Sequence, residues 1–269
     1  MTLARRIAPV LEMNAKGELL TQYRRGGLDV RFVESVATYH AQDGADEIWL
    51  RLREADARGA GGLFEPIKGL LRRVDVPLVA WGAIRSLSDA RLLVGLGAER
   101  VVLDFDDLGG NEPGPLLEQI ARALGPARIS VAIKTRRFLK GKSIGWELCS
   151  AQGESLGLDA VATAVRLASQ GAGEIVVEPS YQGLAASDVV VHDPELVDTL
   201  MSVLAVQLVS VGEDREAADM VTPLLMGADG IASARLFADG TVSITDTKET
   251  LAGFGIPLRA AKPPYAAPR

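Results

Sequence analysis

Residues 76–103, VPLVAWGAIRSLSDARLLVGLGAERVVL, hold one complete strand–helix–strand unit. The run 76–81 is continuously apolar, as in a strand covered on both faces, and it stops at Gly82. A helical pattern opens behind Ser86, carries Asp89 in its first turn and runs to Leu96, where Gly97 suits the residue that closes a helix. The next apolar run follows at once. A strand, a glycine turn and a helix N-terminus together form a phosphate cradle, because the first N–H groups of a helix have no partner within it. Gly82 and Ser86 keep that turn, but Trp81 and Ala83 stand where such a cradle needs bare backbone. The loop therefore reads as a structural relic that starts helix 86–96.

Working outward, the corner at Gly97 recurs. GADEIWL (44–50), GAERVVL (97–103), GAGEIVV (171–177) and GADGIAS (227–233) each place a glycine after a helical pattern and before a short apolar run. Four more runs lie between them: IAPVL (7–11), VPLVAW (76–81), ISVAI (129–133) and VQLVS (206–210). Helices are expected at 86–96, 159–170 and 213–226, with Asp89, Asp159 and Asp214 near their starts. Strict alternation eight times over predicts a (β/α)8 barrel, and the even spacing of the corners predicts a half-barrel repeat. Residues 1–259 form the barrel in this reading, and 260–269 a disordered tail.

The bulk properties narrow the function. The chain has 269 residues, 48% of them hydrophobic, with a net charge of −6 and one cysteine. Scattered basic residues on an acidic chain argue against nucleic acid as a partner. No apolar run is long enough for a membrane span or a signal segment, and Cys149 has no partner for an intrachain disulfide, so a cytoplasmic protein is expected. His40 and His192 lack ligands at metal spacing, so neither a metal nor a cofactor is expected. Cys149, in ELCSAQG, reads as an ordinary half-buried thiol.

The order and spacing of LARRIAPVLEM, GADEIWLRL, residues 76–103, GWELCSAQGESLGLDAV and FGIPLR resemble the histidine-biosynthesis barrels, and among them the cyclase subunits of imidazole glycerol phosphate synthase. The resemblance spans about residues 2–259. It implies a phosphoribosyl substrate with a phosphate at each end, lying across the C-terminal mouth, and two aspartates there for acid–base work. Those positions are Glu12 and Lys134 in this chain. A lysine reverses the charge and, while protonated, accepts no proton, so the family's mechanism is not expected. An ion pair between Lys134 and Glu12 across the rim is expected instead.

Other family positions have also changed. Arg51 stands at an acidic position, Asp104 and Phe105 replace an Asn-Thr phosphate contact, and the loop after the sixth barrel strand reads EPSYQG, with Glu178 and Tyr181. Glu178 joins Glu12 and Lys134 as a candidate catalytic residue. The second cradle keeps Ser210 and Gly212 and gains Val211 and Arg235, whose guanidinium fork suits a phosphate. Gly82, Ser210, Gly212 and Arg235 are thus the phosphate-binding candidates. The basic run 134–142 is either a solvated loop or a guide for an anionic ligand.

At the opposite end, Arg6, Glu47, Arg100 and Glu174 match the family's ring of charges, where ammonia from a glutaminase partner enters. They form either a self-satisfying structural ring or a partner surface. The resemblance thus implies a divergent, catalytically degenerate relative that binds a small anionic or phosphorylated molecule, or a glutamine amidotransferase-like protein. The alternatives are a divergent lyase or isomerase on a phosphorylated metabolite, and a working cyclase.

Overall fold

A computed structural model describes residues 4–25, 28–54, 61, 63–109, 114–140, 143–180, 191–238 and 240–259. Tyr181 and the tail expected at 260–269 lie outside the described residues. In chain order the elements are β1 (Arg6–Asn14), β2 (Glu18–Arg25), β3 (Leu28–Phe32), α1 (Val33–Gln42), β4 (Ile48–Glu54), α2 (Phe64–Leu70), β5 (Leu78–Trp81), α3 (Leu87–Leu96), β6 (Arg100–Asp104) and α4 (Gly114–Leu124). They continue with β7 (Ile129–Lys140), β8 (Ser143–Cys149), β9 (Ser155–Asp159), α5 (Ala160–Ser169), β10 (Glu174–Pro179), α6 (Pro194–Val203), β11 (Gln207–Gly212), α7 (Val221–Leu225), β12 (Gly230–Ser233) and α8 (Ile244–Gly253).

β1, β4, β5, β6, β7, β10, β11 and β12 pair in parallel in that order, and β12 returns to β1, so the eight strands close into a barrel ringed by eight helices. Every apolar run expected as a strand is one. The repeat is visible too: β1 and β7, the first and fifth barrel strands, each lead into antiparallel strands before their helix, β2–β3 and β8–β9.

Alternation along each strand sorts side chains between two cores. On β4, Ile48, Leu50 and Leu52 face the helices, whereas Trp49 joins Ala8, Val79, Val102 and Val209 inside the barrel. The indoles of Trp49 and Trp81 fill that interior edge to face, centroids 5.7 Å apart. The inner positions above and below them are charged.

One expected element is shorter than its pattern. Residues 213–216 are not helical, a single turn of 3-10 helix covers 217–220, and α7 has five residues. Asp214 is drawn inward instead of starting a helix, Glu216 and Asp219 cap the turn that begins at Ala217, and Pro223 removes one backbone donor.

Candidate functional site

Arg51 leaves the C-terminal end of β4 and enters the centre of the barrel mouth. Its guanidinium lies 3.7 Å above the Trp81 ring and donates to both oxygens of Glu178, at 2.9 and 2.8 Å. Glu12 Oε1 stands 3.6 Å from Arg51 and 3.4 Å from Arg53 Nε. Asp104 accepts a hydrogen bond from Trp81 Nε1 at 2.9 Å, and the Arg51 charge acts on it as well. Three carboxylates therefore lean on one guanidinium. Burial alone would push the Glu178 carboxyl up, but Arg51 outweighs it and holds the group below the ordinary carboxylate range. At Asp104 burial wins, and its carboxyl lies above that range despite Arg51 and Trp81.

The expected ion pair between Lys134 and Glu12 does not form. Glu12 stands in register with Arg51 on the neighbouring strand, whereas Lys134 stands in register with Glu178 and opposite Cys149. Lys134 Nζ reaches the Ala151 carbonyl at 3.4 Å, and among the described residues no carboxylate comes within ion-pair distance of it. A cleft of about 310 Å³ opens beside it, lined by Arg53, Ala83, Arg85, Asp104, Lys134 and Cys149 among others. Cys149 is buried, which pushes its thiol up and away from the reactive thiolate.

At the first cradle one helix donor, Asp89 N, and the loop donor before it, Arg85 N, are already used. Ser86 Oγ accepts from Asp89 N at 3.2 Å, and Asp89 in turn accepts from Ser86 Oγ and from Arg85 N. Gly82 has φ +97°, and a Cβ there would sit 2.8 Å from the Leu52 carbonyl oxygen. Ala83 follows with φ +57°, a conformation that alanine rarely adopts.

At the second cradle the histidine that looked isolated in sequence takes the central place. His192 Nδ1 lies 2.8 Å from Ser210 Oγ, and its Nε2 lies 2.7 Å from Asp214 Oδ1. All three are buried. A Cβ on Gly212 would fall 2.6 Å from the imidazole, so this glycine makes room for the ring. Arg235 is exposed beside Glu213, whose carboxyl burial and Glu12 raise and Arg235 lowers. The motif HDP at 192–194 carried a legible part of this, an N-cap followed by proline, but gave no hint of the histidine's partners.

Asp193 is a second node. It caps α6 by accepting from Leu196 N, and it also takes Arg137 Nε at 2.9 Å and Trp146 Nε1 at 2.7 Å from the β7–β8 hairpin. Arg136 pairs with Glu147. Two cations of the basic run are thereby spent inside the protein rather than free to guide a ligand.

The barrel floor closes as an alternating ring. Arg6 bonds Glu47 at 3.2 Å and also Glu174, while Arg100 lies 2.7 Å from Glu47 and 3.6 Å from Glu174. Ser130 Oγ and Trp49 Nε1 donate to the same two carboxylates. Around the floor, Leu71, Val203, Leu225, Met226 and Phe254 stand exposed at the C-terminal ends of α2, α6, α7 and α8. Among the described residues, no three or more His, Cys, Asp or Glu side chains are grouped to hold a metal, and no helix is long and apolar enough to cross a membrane.

A family model described as histidine biosynthesis protein matches residues 23–243. The imidazole glycerol phosphate synthase subunit HisF of Nocardioides sp. is 31% identical over 268 residues, which cover 96% of this chain and all of that protein. Its namesakes in Beutenbergia cavernae and Exiguobacterium sibiricum are 28% and 29% identical, again over 96% of this chain and their full lengths.

Proposed function

This chain belongs to the histidine biosynthesis protein family, and from that membership we propose that it is a divergent barrel that no longer runs the family's cyclisation and instead binds a small anion at its mouth. The observation that carries the reading is the commitment of the mouth carboxylates. Glu178 and Glu12 both pair with Arg51, so the carboxylates that the family's acid–base work would draw on are neutralised within the protein. An arginine does not give up its proton near neutral pH and offers no replacement base. Among the described residues Lys134 remains unpaired at the cleft, and Arg53 and Arg85, though each meets one carboxylate, stay partly exposed there, so the cleft attracts a negative charge.

Both phosphate cradles support the same reading. The first has Asp89 N and Arg85 N taken up by the Ser86 and Asp89 side chains, with Trp81 and Asp104 packed against its turn, and the second holds the His192 ring over Gly212. A substrate with a phosphate at each end has lost its two anchors. Thermal unfolding tests this directly, because a ligand at a thousand times its Kd adds about 4 kcal/mol of stability. The family's phosphoribosyl substrate at millimolar concentration is expected to leave Tm unchanged. A rise of several degrees would mean that the cradles still hold it.

A second reading, a protein partner at the floor, is favoured by the exposed apolar residues around the charge ring. The relatives carry the word subunit in their names, and the family resemblance implies a glutamine amidotransferase. Co-elution with such a protein, abolished by Phe254→Asp, would support this surface, and elution of the two apart would remove it.

A further inference from the structure

Among the described residues, every cation that lines the cleft lies within ion-pair distance of a carboxylate except one. Arg51 holds Glu178, Arg53 lies 3.4 Å from Glu12, and Arg85 bonds Asp107 at 2.8 Å. Lys134 has only the 3.4 Å contact to the Ala151 carbonyl oxygen, and β7 is paired on both sides at its position, which fixes its Cα. A primary amine at the wall of a cleft that is also lined by a carboxyl, Asp104, is a constellation for capturing a carbonyl carbon.

We propose that Lys134 captures small anionic carbonyl compounds, 2-oxo acids or acidic aldehydes, as a protonated imine on its Nζ. The inference rests on the reading that the mouth takes a small anion, and it names the class of that anion. Ala132 lines the cleft with Lys134, and Arg53 and Arg85 keep part of their side chains exposed for a carboxylate. The volume of about 310 Å³ suits a molecule of a few carbon atoms.

The steps balance without an outside oxidant or reductant. The ammonium of Lys134 gives one proton to water, and the freed lone pair attacks the carbonyl carbon. The nitrogen then passes a proton to the former carbonyl oxygen, giving a carbinolamine. Asp104, held protonated more readily than an ordinary carboxyl by its burial, supplies the proton with which that hydroxyl leaves as water. The C–O bond breaks, the C=N bond forms, and Asp104 recovers its proton from solvent. Glu178, kept ionised by Arg51 and in register with Lys134, stabilises the iminium charge.

The test uses the whole chain and two probes, pyruvate and its carbonyl-free counterpart lactate. With pyruvate and borohydride, intact mass and peptide mapping should find one reduced adduct per chain, at Lys134. Lys134→Arg should carry none, Lys68→Met should label normally, and Asp104→Asn should label about tenfold or more slowly. Lactate should bind the parent non-covalently by calorimetry. Labelling spread over exposed lysines such as Lys16 and Lys68, or none while lactate binds, would overturn carbonyl capture and leave the small-anion reading standing. Absence of both labelling and lactate binding would overturn both.

Discussion

Arg51 has more partners than any other side chain at the mouth, and its removal is the sharpest perturbation that the geometry offers. Arg51→Met would leave Glu178 and Asp104 buried without their cation, a situation that typically costs 3–5 kcal/mol, so urea unfolding should show about that loss. A change below about 1 kcal/mol would mean that the pairs are solvated in practice. Ala83 gives the opposite sign. Its φ of +57° is relieved in Ala83→Gly, which should gain about 1 kcal/mol; a loss of stability would place the native strain elsewhere. The positions of these residues at strand ends were legible in the sequence, since a run such as ISVAIK puts Lys134 at the rim. Their partners were not. Glu12 and Arg51 meet because two parallel strands lie in one register, and the periodicity of a single strand says nothing about its neighbour's register.

Among the elements, the glycine corners were the most legible because they depend on backbone alone: Gly97, Gly171 and Gly227 all have φ above 100° where their helices end. The segment 213–226 misled for the converse reason. Its apolar spacing suits a helix, but the contact from Asp214 to His192 pulls the chain inward before a helix can start. The β7–β8 hairpin likewise depends on a distant residue, Asp193, which caps α6 and receives Arg137 and Trp146. Asp193→Ala should therefore cost more than an ordinary N-cap, about 2–3 kcal/mol against the usual 1, because Arg137 also loses one of its two carboxylates and Trp146 loses its acceptor. Asp193→Asn, which keeps the cap, should recover about half by the same chemical-denaturation measurement. Equal losses in the two variants would show that only the ion pair matters.

For the whole molecule, the least expected feature is a fully buried histidine. His40 packs against Tyr23, Tyr39 and Phe237, tying α1 to the β2 hairpin and to the segment after β12, and neither ring nitrogen has a hydrogen-bond partner among the described residues. Burial pushes its pKa down to about 3 from 6.5. The unfolded chain therefore takes up the proton first, so stability is intact above pH 6.5 and falls as the pH drops from there toward 3. The slope is about 1.4 kcal/mol per pH unit, and the profile of His40→Phe should lack it between pH 6 and 4. Parallel profiles would mean that His40 finds a proton acceptor. The closed barrel and its repeat follow from patterns in the chain, and the floor ring from the family resemblance, whereas the state of the mouth depends on which distant charges meet. Turnover reads the state of that mouth most directly. With the family's phosphoribosyl substrate and ammonium at saturating concentration, the purified chain should release no imidazole product above the enzyme-free background, and a rate within about a hundredfold of the ordinary enzymatic 10 per second would contradict the account.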